Sequence, residues 1–155
     1  MTGLGPILTS HIPNSHYVAH VGWSTTRYLE SLDQILTESN NPDILIVELG
    51  GNDTVVSQVS YKRMVMNFIQ IARTHGVRKI IWIGPALSWN SEVQYRHTTV
   101  STTQQRVLGQ LQIPWYNSFP VTTNHHLHDG VHFTPRGYGV WARNVLPFLT
   151  SNIGE

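Results

Sequence analysis

The run Asp43-Ile44-Leu45-Ile46-Val47-Glu48-Leu49 constrains this chain more than any other segment. It is nearly continuous in aliphatic residues, with no alternation of polar and apolar positions. A strand of that composition must be covered on both faces, as in a parallel sheet sandwiched between helices. Two shorter runs read the same way: Lys79-Ile80-Ile81-Trp82-Ile83, closed by Gly84-Pro85, and Ile113-Pro114-Trp115-Tyr116. Tyr17-Val18-Ala19-His20-Val21, ending at Gly22, reads as an earlier strand.

Helical patterns separate these runs. Ser24 suits an N-cap, and Tyr28, Leu29, Leu32, Ile35 and Leu36 recur at helical spacing. A second helix is expected from about Ser60 to His75, stopped by Gly76. A third is expected from Glu92 to about Leu111, despite its Thr and Ser content. Thr134 caps a last helix with Pro135 in its first turn, running to about Leu149. The order β-α-β-α-β-α-β-α predicts a parallel sheet with helices on both faces. The 155 residues fit one domain, 1–155.

Composition narrows the partners. Charged residues make up only 12 %, the formal net charge is +1, and Lys and Arg are scattered. A nucleic-acid partner held by a basic face is not expected. The chain has no Cys, which excludes disulfides and thiolate metal sites. No apolar run reaches the ~18 residues of a membrane helix. The start of the chain has no charged-then-apolar pattern, so a soluble chain without a signal peptide is expected, its compartment unassigned.

In a sheet of this kind ligands collect at the carboxyl ends of the strands. Gly22, Gly50-Gly51-Asn52-Asp53 and Asp129-Gly130-Val131-His132 all fall there. An Asp three residues before a His can set its carboxylate against the imidazole, fixing the tautomer and stabilising the imidazolium. The Asn52 amide can donate to a developing oxyanion, and Gly51 keeps the approach open. Gly22 offers either a backbone N–H at the same edge or a simple strand terminator. Trp23 and Trp89, near the loops, could stack on a sugar or belong to the core. A zinc site from His125, His126, His128, Asp129 and His132 is the competing reading. Neighbouring loop histidines diverge, however, and Asp129 and His132 already form an acid–base pair, so no metal or other cofactor is expected.

Gly22, Glu48-Leu49-Gly50-Gly51-Asn52-Asp53 and Asp129-Gly130-Val131-His132-Phe133-Thr134 resemble, in order and spacing, the second, third and fifth blocks of the SGNH (GDSL-type) hydrolases. Ile83-Gly84-Pro85 resembles the strand end that precedes that family's variable loop. The resemblance implies a three-layer α/β/α sandwich with a parallel, flavodoxin-like sheet. It implies an oxyanion hole from Gly22 and Asn52, His132 as general base and Asp129 as its orienter. Ester substrates follow, among them O-acetyl groups on carbohydrates, without a metal.

The family's first block, a strand ending in Gly-Asp-Ser, has no counterpart here. Gly3-Leu4-Gly5-Pro6-Ile7-Leu8 resembles the stretch that follows it, which places that block ahead of Met1. Within the chain, Ser10 is the candidate nucleophile if residues 5–9 form the first strand. Tyr17 then follows after only seven residues, whereas a parallel crossover takes about a dozen. Ser24 reads as a cap and Ser15 as part of a turn. In the family the first strand lies mid-sheet, so its slot should be filled by residues 3–9, by a strand from another chain, or by an upstream segment. The chain therefore reads as a serine esterase or, alternatively, as an inactive SGNH-fold binding or structural module in a larger assembly.

Overall fold

A computed structural model describes residues 3–54 and 57–154. The elements are α1 (Leu4–His11), α2 (Thr25–Glu38), β1 (Ile44–Glu48), α3 (Gln58–Thr74), β2 (Lys79–Ile83), α4 (Ser91–Gln110), β3 (Trp115–Tyr116) and α5 (Pro135–Ile153), with a 3-10 turn at Phe119–Val121 before α5. The strands form one parallel sheet in the order β1-β2-β3. The register runs from Ile44 opposite Lys79 to Glu48 opposite Ile83.

Strand alternation divides the apolar residues between two cores. Leu45, Val47, Ile80 and Trp82 face α2, α3 and α4, where Leu32, Leu36, Tyr61, Val65, Val100 and Val107 are buried. Ile44, Ile46, Ile81 and Ile83 face α1 and α5, against Leu4, Leu8, Trp141 and Val145. This is the expected three-layer α/β/α arrangement. The expected caps also form: Ser24 Oγ accepts from Arg27 N–H, and Thr134 Oγ1 accepts from Gly137 N–H. Gly76 follows α3 with φ +84°, the left-handed conformation that ends a helix and favours glycine.

Two expectations are corrected. Residues 17–21 form no strand. A strand-patterned sequence cannot become a strand without a backbone partner, and none of the described residues pairs with it. Tyr17, Val18 and Val21 are left exposed, Val21 at 84 %. Residues 5–9 are not a strand either; they lie in α1. Leu4 and Leu8, one turn apart, bury one face against α5. Burying a leucine side chain is worth roughly 1.5–3 kcal/mol, enough to favour the helix. Pro6 is tolerated because it sits in the first turn, where no intrahelical N–H is needed. Residues 3–9 therefore do not fill the slot beside β1.

Candidate active site

The loop before α5 brings Asp129 and His132 together. Gly130 takes φ +70°, and a Cβ there would lie 3.2 Å from Asn90 N, so the turn needs glycine. The turn lets Asp129 Oδ1 accept from the N–H groups of Val131 (2.8 Å) and His132 (2.9 Å). Oδ2 is then left for the imidazole, 2.6 Å from His132 Nδ1. The His132 contact, helped by the two backbone donors, pulls the Asp129 carboxyl down to about 2. An ionised carboxylate held there takes a proton-bearing Nδ1 as its donor, leaving Nε2 as the basic nitrogen. Among the described residues no hydrogen bond uses that Nε2. The pair is open to solvent, with side-chain exposures of 63 % for His132 and 47 % for Asp129.

The loop after β1 is held from three sides. Asp53 is buried, and its carboxylate accepts from Thr25 N–H and Thr25 Oγ1, both at 2.8 Å. Gln104, fully buried on α4, donates to Leu49 O (2.8 Å) and to the Tyr61 hydroxyl (2.9 Å). His97, two turns earlier on the same face of α4, has Nε2 3.1 Å from Gly51 O and Nδ1 2.7 Å from Ala86 O. Gly50 takes φ +121°, with Val100 2.6 Å from where a Cβ would lie. Asn52 is exposed on this braced loop, and its Nδ2 donates to Trp23 O at 3.2 Å. That bond uses one of two amide hydrogens and leaves the other for a ligand. Gly51, also exposed, adds no side chain to the approach.

Gly22 sits in the turn closed by the bond from Trp23 N–H to His20 O, with φ +77°. No described hydrogen bond uses its own N–H. The Trp23 ring stacks on His20 at 3.8 Å and carries the Arg27 guanidinium 4.9 Å from its centroid. It is thus largely occupied by its own neighbours. Trp89 is 56 % exposed; its Nε1 donates to Thr123 O and its ring lies 4.1 Å from that of His126. Ser10 lies in the last turn of α1, its hydroxyl donating to Ile7 O at 2.6 Å with His11 Nδ1 3.0 Å away. No hydrogen bond joins it to His132.

The segment after β2 ties the two loops together. Ala86 O meets His97, which reaches Gly51 O; Leu87 O meets His126 Nε2 at 2.7 Å; Trp89 N–H donates to Gly130 O at 2.8 Å. The Asn52 loop and the Asp129–His132 loop are therefore both braced by residues 86–89. Sequence reasoning missed His97 and Gln104, and it offered His126 only as a zinc ligand, whereas its Nε2 meets Leu87 O. A usable signal existed for both missed residues: His97 and Gln104 share the helical stripe of Val100 and Val107, so they are polar residues at core positions. His126, with its Nε2 on Leu87 O, is a brace of this kind. Among the described residues no group of three or more His, Cys, Asp or Glu is placed to hold a metal ion.

No protein-family model and no curated sequence matches the chain. Solved structures do match. The chain is similar to a crystal structure of TesA, with 22 % identity and a TM-score of 0.76 over 96 % of this chain and 88 % of that one. It is similar to a carbohydrate acetylesterase family member from Sinorhizobium meliloti, with 15 % identity and a TM-score of 0.77 over 99 % of this chain and 86 % of that one. A lipolytic protein of the G-D-S-L family from Veillonella parvula matches with 14 % identity and a TM-score of 0.76, over 93 % and 85 % of the two chains.

Proposed function

We propose that this chain, which has the SGNH hydrolase fold, provides the acid–base and oxyanion groups of an ester-cleaving acyl-transfer site. The observation that carries the reading is the 2.6 Å contact between Asp129 Oδ2 and His132 Nδ1, with Nε2 open beyond it. In the proposed step a serine hydroxyl gives its proton to Nε2 as its oxygen bonds to the ester carbonyl carbon. The negative charge on the former carbonyl oxygen falls to the second amide hydrogen of Asn52 and the Gly22 N–H. The intermediate collapses with loss of the alcohol, which takes its proton from His132. Water, deprotonated by His132, then attacks the acyl-serine and releases the acid. Asp129 stabilises the imidazolium at each stage without taking the proton itself.

O-acetyl groups on a carbohydrate are the favoured substrate class. Trp89 supports this, presenting an exposed ring that bonds through its backbone to the acid–base loop. The similarity to a carbohydrate acetylesterase family member points the same way. A second reading, an inactive SGNH-fold module, is favoured by Ser10, whose hydroxyl is turned to Ile7 O rather than to His132. Labelling with a fluorophosphonate decides between them. Labelling lost in His132→Ala supports acyl transfer; an intact protein that neither labels nor hydrolyses p-nitrophenyl acetate is the inactive module.

A further inference from the structure

The carbonyl of Gly130 is held twice. Ser88 Oγ donates to it at 2.9 Å and Trp89 N–H at 2.8 Å, which occupies both lone pairs of the oxygen. Ser88 is 4 % exposed, and its hydroxyl oxygen in turn accepts from Asn90 N–H at 3.1 Å. Ser88 N–H donates to Gln94 Oε1 at 2.7 Å, and Asn90 Oδ1 caps α4 by accepting from the N–H groups of Glu92 and Val93. The acid–base turn is thus seated on the capped start of α4. The Ser88 proton is committed to Gly130 O and the side chain is shut off from solvent, so Ser88 is not itself a nucleophile.

The other end of the same peptide group reaches the acid–base pair. A trans peptide is planar, so the Gly130 C=O and the Val131 N–H point in opposite directions along one rigid unit. Val131 N–H donates to Asp129 Oδ1 at 2.8 Å. Fixing the carbonyl therefore fixes that donor. Without the clamp the unit turns by changing only Gly130 ψ and Val131 φ, and glycine resists such a change less than any other residue. A turned peptide takes the N–H from Asp129 and brings a carbonyl oxygen towards its carboxylate. Oδ1 then keeps only the His132 N–H of its two backbone donors, and Oδ2, 2.6 Å from His132 Nδ1, loses its fixed aim.

We infer that Ser88 is a positioning residue: by clamping the Gly130–Val131 peptide it aims Asp129 at His132. Its hold on Asp129 rests on the hydrogen bonds alone; only the catalytic consequence rests on the acyl-transfer reading. The same helix reaches the other half of the site, where His97 and Gln104 meet Gly51 O and Leu49 O. One helix thereby seats both the acid–base turn and the Asn52 loop. Ser118 is the natural control. It is as deeply buried, at 1 % exposed, and its hydroxyl donates to Gly84 O and accepts from Trp141 Nε1, away from the turn.

The test compares the wild type with Ser88→Ala and Ser118→Ala, by amide hydrogen exchange and by carbon NMR of the Asp129 carboxyl. In the wild type, Val131 N–H exchanges about tenfold or more slowly than an open loop amide; rapid exchange there overturns the clamp and needs no variant. In Ser88→Ala, Val131 exchange quickens by about tenfold or more, and the Asp129 carboxyl moves up from about 2 because one backbone donor is freed. Ser118→Ala changes neither. No change in Ser88→Ala, or the same change in Ser118→Ala, overturns the positioning role. Turnover of p-nitrophenyl acetate gives the catalytic arm: Ser88→Ala lowers kcat by about ten- to a hundredfold with KM nearly unchanged. A raised KM with unchanged kcat removes Ser88 from positioning the reaction. No turnover by the wild type sinks the acyl-transfer reading, and exchange and titration still decide whether Ser88 holds Asp129.

Discussion

Replacing Gln104 with leucine tests whether the buried polar braces hold the Asn52 loop. The side chain is fully buried and makes three hydrogen bonds: to Leu49 O at 2.8 Å, to the Tyr61 hydroxyl at 2.9 Å and from Trp115 Nε1 at 3.0 Å. Leucine has a similar volume, so no large cavity forms and the lost bonds dominate. Each buried group left unpaired costs about 1–3 kcal/mol. Leu49 and Trp115 are only partly buried, so water recovers part of their loss. Tyr61, fully buried, keeps only its longer 3.4 Å contact with Thr25 Oγ1. The expected loss is about 3–5 kcal/mol, a large share of a total stability of about 5–15 kcal/mol. At about 2–4 °C per kcal/mol for a chain of this size, the melting temperature falls by roughly 10 °C. Thermal unfolding followed by circular dichroism measures this. Amide exchange at Gly51 and Asn52 should also quicken, because Leu49 O anchors the segment before them. A fall under about 3 °C, with unchanged exchange at Asn52, would show that Gln104 does not brace the loop.

The remaining predictions concern charge, turn geometry and substrate. The Asp129 carboxyl should titrate at about 2 by carbon NMR; in His132→Ala it should move up yet stay below an ordinary aspartate, because the N–H of Val131 and of residue 132 still donate. Its depressed value means the pair adds stability above about pH 4, lost as pH falls towards 2, and a flat acid limb in the wild type would contradict this. Glu48 works in the opposite direction: desolvation pushes its carboxyl up to about 7, so stability should decline as pH rises from about 4.5 to 7. Glu48→Gln should flatten that decline in urea melts across the same range. Gly130→Ala, forced to keep φ +70°, should cost about 1–2 kcal/mol, read as a lower urea midpoint. For a carbohydrate acetyl ester, Trp89→Ala should raise KM with little change in kcat; an equal KM for sugar and aryl acetates in wild type and variant would remove Trp89 from the substrate site.

Local pattern was enough to place most of the layers. The aliphatic run at 44–48 and the stripes of α2, α3 and α5 record which faces must leave water, and this depends only on residue order. The Asp129–His132 contact was also legible, because three residues and a left-handed glycine bring the groups together without help from distant elements. Long-range pairing was not legible. Residues 17–21 have a strand's sequence and no strand, because a ladder needs a neighbour that local sequence cannot supply. Residues 4–11 became a helix because α5 offered a surface for Leu4 and Leu8. The bracing of Asn52 by His97 and Gln104 spans 46 and 55 residues of chain, and only the packing of α4 beside the sheet decides which carbonyls those side chains meet. Sequence by itself determined which surfaces are apolar and which polar groups are near neighbours. Tertiary structure decided which backbone edges find partners, since a hydrogen bond in a sheet is made by whichever strand arrives beside it.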